Sequence, residues 1–104
     1  KGEPKEIMYW DTLADGLSAG RPRGFRFQHL QEYLDEIVLI SEQDIAETFR
    51  TLLFRAKILG EPAGVVASAG FLSGKVDTSL KTVAAVTGGN VTEEVIQKML
   101  SMSA

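Results

Sequence analysis

The residues able to do chemistry in this chain are few, and their types narrow what it can do. There is one histidine, His29, and no cysteine. Disulfides, thiol catalysis, cysteine-bound zinc and histidine metal clusters are therefore excluded within it. Hydroxyl, carboxylate, ammonium and amide groups remain. Thr87 ends an apolar run and stands directly before Gly88-Gly89-Asn90. Its hydroxyl is a neutral group that can donate one hydrogen bond and accept others, and by type alone Thr87 is an ordinary β-branched strand end. Glu61 precedes Pro62 at a helix start, where a carboxylate gains roughly 0.3–1 kcal/mol from the helix dipole. Lys57 falls in the last turn of a helix, where a cation is favoured, and Asn90 lies in a turn. Gly16 closes the loop sequence Ala14-Asp15-Gly16. No Gly-rich phosphate cradle is present. His29, on a short helix, reads as a surface or interface residue.

The elements that must position these groups follow from apolar spacing. Phe27, Leu30 and Leu34 fall at i, i+3 and i+7, which predicts a short helix over 25–34. Ile37-Val38-Leu39-Ile40 is continuously apolar and largely β-branched, which predicts a strand covered on both faces. Ser41 with Asp44 three residues on has a capping pattern, and Glu42 and Asp44 suit the positive end of a dipole. Ile45, Phe49, Leu52, Leu53 and Ala56 then form the stripe of a helix that Gly60 can end. Pro62 suits the first turn of a second helix, and residues 63–72 are small and apolar on every face, so that helix must be buried. Residues 73–80 read as a loop and 81–87 as a second buried strand. Thr92 caps a last helix with Glu93 and Glu94 in its first turn and Val95, Ile96, Met99 and Leu100 as its apolar side. Residues 1–24 are loop-dominated, yet Tyr9 and Trp10 imply that they cover something. The order predicts α/β architecture with two buried strands and about four helices. Two strands cannot satisfy each other and also have both faces covered, so the chain reads as part of a larger domain.

Composition sets outer limits. The 104 residues are 44% hydrophobic and 24% charged, with a net charge of −3. That is the balance of one globular unit, not of a disordered chain or a basic nucleic-acid surface. No apolar run approaches the ~20 residues that cross a bilayer, and Lys1-Gly2-Glu3-Pro4-Lys5-Glu6 is not a signal peptide, so a soluble, cytoplasmic protein is expected. A helix-turn-helix reading of residues 41–72 fails because the second helix has no Lys or Arg and almost no side chain able to read bases.

Four stretches, in matching order and spacing, carry a family resemblance: Thr12-Leu13-Ala14-Asp15-Gly16; Asp35-Glu36-Ile37-Val38-Leu39-Ile40-Ser41-Glu42; Glu61-Pro62-Ala63-Gly64; and Thr87-Gly88-Gly89-Asn90-Val91. Together they resemble the C-terminal part of threonine dehydratases and serine racemases, in the fold type II (tryptophan synthase β-like) pyridoxal-phosphate enzymes. The resemblance implies that residues 1–104 are the C-terminal segment of the large catalytic domain. It also implies that the Schiff-base lysine and phosphate-binding loop precede this segment, so that alone it is inactive. It implies a hydrogen bond from Thr87, where the family usually has Ser, to the cofactor's pyridine nitrogen. Glu61 would lie close to the ring and influence its protonation or proton movement, and Gly16 would lie on the lysine side. Lys57 and Asn90 would match a subunit-interface site for AMP or ATP as an activator.

The activity implied is α,β-elimination from L-threonine or L-serine, giving a 2-oxo acid and ammonia. Serine or hydroxyaspartate racemase–dehydratase chemistry shares every motif quoted. A homodimer or higher homo-oligomer is expected, with the rest of the enzyme chain and an amino-acid substrate as partners. The reading of another class is a non-catalytic interaction or regulatory domain, whose all-apolar helix and orphan strands would need an oligomer to cover them.

Overall fold

The computed structural model describes Thr12, Ala14 and residues 24–103. Its elements are α1 (Gly24–Tyr33), α2 (Glu42–Thr51) running into a π turn (Leu52–Ala56), a 3-10 turn (Pro62–Val65) running into α3 (Val66–Leu72), and α4 (Glu93–Met102). Helix α2 begins where its capping pattern predicts: the Ser41 hydroxyl accepts from the Asp44 N–H at 3.0 Å. Helix α4 is capped the same way, Thr92 Oγ1 accepting from the Val95 N–H at 3.3 Å.

Helix α2 is the centre of the packing. Its face of Ile45, Ala46, Thr48 and Phe49 is buried, and it lies against α3 on one side and α4 on the other. The core is small: Ala14, Ile45, Ala46, Phe49, Val65, Ala69 and Met99, with Val86 and Val95 among the half-buried residues around it. Lys75 fastens the rim, its ammonium 3.0 Å from the Asp44 carboxylate and 3.4 Å from the Leu39 carbonyl. The Thr12 hydroxyl donates to the Glu42 carboxylate and accepts from the Ala14 N–H at 3.1 Å, which seats part of the first motif on the start of α2.

Three expectations give way to the structure. The α/β architecture with two buried strands is not found: among the described residues all regular structure is helical and no β-ladder forms. Residues 37–40 and 82–86 are irregular, and Ile37, Leu39 and Val83 are 76%, 85% and 97% exposed. The apolar runs recorded what must be buried but not with what, and the described chain supplies no neighbour for their N–H and C=O groups. Instead Val38, Ile40, Ala84 and Val86 turn inward alternately with exposed neighbours. Between these segments and α3 runs an apolar groove of about 330 Å³, lined by Val38, Ile40, Val66, Phe71 and Val83 among others.

The end of α2 also differs. Lys57, not Gly60, closes it: Lys57 adopts a left-handed backbone at φ 60, and its N–H returns to the Leu52 carbonyl. The π turn has already widened the helix, so the chain leaves three residues earlier than the glycine suggests. The small-residue helix is the third case: it starts at Pro62 as expected, first as a 3-10 turn and α-helical from Val66, but it is not buried on every face, since Ala67, Phe71 and Leu72 are exposed. Tyr9, Trp10 and Gly16 lie outside the described residues.

Candidate functional site

The site is built where the 61–65 turn meets the 86–90 segment. Glu61 is extended at φ −67, ψ 160, and Pro62 starts the 3-10 turn behind it. Two main-chain hydrogen bonds join the two pieces and a third closes the turn itself. The Glu61 N–H donates to the Gly88 carbonyl, the Gly64 N–H donates to the Glu61 carbonyl at 2.8 Å, and the Thr87 N–H donates to the Gly64 carbonyl at 3.2 Å. Val86, one residue earlier, packs on the core, so the segment is anchored just before it reaches the site.

Two glycines make this approach geometrically allowable. Gly88 is left-handed at φ 75, and a Cβ there would also fall on the Glu61 side chain; glycine is demanded twice over. Gly64 is buried, and a Cβ on it would overlap the Thr87 carbonyl, 2.6 Å from its carbon. Thr87 is consequently held by its main chain while its side chain remains exposed. Its hydroxyl makes no hydrogen bond to another described residue. The half-buried Glu61 carboxylate lies over the same turn.

The edge therefore presents a neutral hydroxyl at Thr87 and a carboxylate, Glu61, packed over the adjoining glycine. A hydroxyl can donate to a ring nitrogen without keeping it protonated as a carboxylate would. Thr87 and Glu61 are brought together as the motifs imply, and Gly64 and Gly88 join them. Those two glycines stand in the quoted motifs, where residue type alone gives them no role. The available signal was their position: one in the first turn of a helix, one directly after the hydroxyl residue.

Lys57 and Asn90 are both exposed, and no hydrogen bond joins them. The Lys57 ammonium donates to the Phe54 carbonyl at 2.8 Å. His29 stacks at a tilt on Tyr33, ring centroids 6.0 Å apart. Among the described residues no cluster of His, Asp and Glu could hold a metal ion.

The family model for pyridoxal-phosphate dependent enzymes matches residues 1–88, which takes in Glu61, Gly64, Thr87 and Gly88. The chain belongs to the pyridoxal-phosphate-dependent enzyme family. Within that family it is 41% identical over 83 residues to the catabolic L-threonine dehydratase TdcB of Escherichia coli K12, covering 77% of this chain and 25% of that protein. It is 34% identical over 102 residues to an L-threonine ammonia-lyase of Thermotoga maritima, 97% of this chain and 25% of that one. An L-threonine ammonia-lyase of Geobacter sulfurreducens is 39% identical over 92 residues, 88% of this chain and 23% of the relative. The chain thus spans about a quarter of the length of these relatives.

For a pyridoxal-phosphate-dependent enzyme the edge at Thr87 fits one end of the cofactor. The hydroxyl suits the ring nitrogen, and the two glycines leave backbone, not side chain, beside it. When bound, pyridoxal phosphate draws off negative charge that develops at a substrate's α-carbon. In this chain Thr87 would be the residue to face the ring nitrogen, and Glu61 would stand over the turn beside it. Among the described residues no helix is long and apolar enough to cross a membrane.

Proposed function

We propose that this chain is the C-terminal segment of the large domain of a pyridoxal-phosphate-dependent L-threonine/L-serine dehydratase. The observation that carries this is the Thr87 hydroxyl, without a partner among the described residues, on a backbone tied by main-chain bonds to the Glu61–Gly64 turn in a chain whose relatives are named L-threonine dehydratases and ammonia-lyases. Thr87 holds the ring nitrogen by a neutral hydrogen bond, and Glu61 tunes its protonation or relays a proton. Net reaction removes the α-proton and β-hydroxyl as water, then ammonia by hydrolysis, leaving a 2-oxo acid. The remainder of the longer chain and a second copy complete the enzyme. Exposed Ile37, Leu39 and Val83 support this, since apolar residues left so bare in series mark a surface that something covers. A cytoplasmic location is part of the same proposal.

Lys57 and Asn90 form part of a surface site for AMP or ATP in the assembled enzyme. The support is their exposure and an ammonium engaged by a carbonyl, not by a carboxylate.

The test is to express the full-length protein that carries this segment, with cofactor, and to follow 2-oxo acid and ammonia formation from L-threonine and L-serine. Stoichiometric 2-oxo acid and ammonia are expected. Racemised amino acid without ammonia would instead assign a racemase, and no turnover of either amino acid would discard the reading. Adding AMP should raise activity in the wild type and leave Lys57→Ala unmoved; an equal response in both discards the effector site.

A further inference from the structure

Gly64 stands in an unusual relation to Thr87. Its carbonyl accepts the Thr87 N–H at 3.2 Å, so it anchors that residue. A side chain at 64 would expel the residue it anchors, because a Cβ there overlaps the Thr87 carbonyl oxygen and lies 2.6 Å from its carbon and 3.0 Å from its hydroxyl oxygen. The first two are backbone atoms, which cannot rotate away. Gly60 bounds the same carbonyl from another direction, its Cβ position 3.2 Å from the Thr87 oxygen. Gly70, in the same small-residue stretch, differs: its nearest contact would be the Ile40 Cδ1 at 3.4 Å, the end of a flexible side chain.

We propose that Gly64 is the positioning residue for the cofactor ring, acting through Thr87: the bare Cα at 64, set within the Glu61–Gly64 turn, fixes where the Thr87 hydroxyl stands. This rests on the reading of Thr87 as partner of the ring nitrogen. Gly64 touches neither cofactor nor substrate. It contributes the space and the carbonyl that leave the hydroxyl in one place.

The experiment is a double-mutant cycle in the full-length enzyme, read by the dissociation constant of pyridoxal phosphate from fluorescence titration and by the absorbance of the bound cofactor. The proteins are wild type, Thr87→Ala, Gly64→Ala, the double variant, and Gly70→Ala as control. Thr87→Ala and Gly64→Ala should each weaken cofactor binding about three- to tenfold, the loss of one hydrogen bond. The double variant should bind no worse than the weaker single variant, since one contact can be lost only once. Gly70→Ala should stay within about twofold of wild type. Losses that multiply in the double variant would overturn the proposal, because Gly64 would then act on the fold and not through the hydroxyl. Wild-type affinity in Gly64→Ala, with affinity lost in Thr87→Ala, overturns the positioning role and leaves the reading of Thr87 standing. Wild-type affinity in Thr87→Ala removes both. If Gly64→Ala does not fold, Gly60→Ala takes its place in the cycle, since its Cβ would meet the Thr87 carbonyl at 3.2 Å; because it would also meet the Val65 and Val86 methyls at 2.9 and 3.1 Å, the cycle is then run in a Val65→Ala background that relieves the tighter methyl contact. Losses that do not multiply then support the proposal, and losses that multiply overturn it.

Discussion

At the scale of the residue, the proposed site rests on a hydroxyl and on the backbone that presents it. Thr87→Val keeps the shape and removes the hydrogen-bonding group, so cofactor affinity in the full-length enzyme should fall about three- to tenfold. Thr87→Ser keeps the group and should stay near wild type; equal affinities for Ser and Val would show that shape, not the hydroxyl, matters at 87. A second residue-scale expectation concerns Asp44. The hydrogen bond from Lys75, reinforced by Ser41, holds its carboxyl below the ordinary value of 3.8. A depressed folded value means the ionised form is favoured in the fold. That stabilisation is complete above about pH 3.8 and is lost as pH falls through the lower folded value. Lys75→Ala should raise the Asp44 titration midpoint, followed by the carboxyl carbon resonance. An unchanged midpoint would mean the ion pair is not made in solution. The same substitution removes the tie to the Leu39 carbonyl, so both ends of that rim loosen together.

At the scale of the element, α2 shows what was legible in the sequence and why. Its start was readable because a cap is local: Ser41 and Asp44 lie three residues apart and need no distant partner. Its buried face was readable in part: 3.6-residue periodicity picks out Ile45 and Phe49, but Ala56 is exposed beyond the π turn and Ala46 and Thr48 are buried beside the stripe. Its end was not, since the choice between Lys57 and Gly60 depended on a π turn that no residue type announces. The extended runs mislead for a related reason. Their apolar character is intrinsic, whereas a ladder needs a second chain segment placed beside them. The contact between the 61–65 turn and 86–90 was legible only as paired motifs; the overlap a Cβ at Gly64 would cause is a tertiary fact. Packing gives the sharpest prediction at this scale. Phe49 is 1% exposed and Met99 fully buried where α2 meets α4, so Phe49→Ala should cost about 3–5 kcal/mol in urea unfolding. Ser41→Ala, which removes only the cap, should cost about 1 kcal/mol. Comparable losses in the two variants would mean that the α2–α4 contact is not the centre of stability.

At the scale of the whole molecule, the described chain has a small core and a broad apolar exterior. Seven residues form the buried hydrophobic cluster, while Ile37, Leu39, Leu80 and Val83 are each more than half exposed. Such a surface is costly in water and is tolerated where another surface covers it. Covering by the rest of a longer enzyme chain and self-association of the isolated chain call for the same residues but respond differently to charge. Leu39→Lys with Val83→Lys should make the isolated 104-residue chain more monomeric in sedimentation velocity, because both side chains point outward and a lysine there is solvated at little penalty. In the full-length enzyme the same pair of changes should destabilise the fold by several kcal/mol, since each would place an unpaired ammonium inside a covered interface. Opposite effects of one double variant in the two contexts would show that these residues are built to be covered in the longer chain. A full-length protein indifferent to both lysines would show that they remain at its surface, and the completing partner would then have to dock elsewhere.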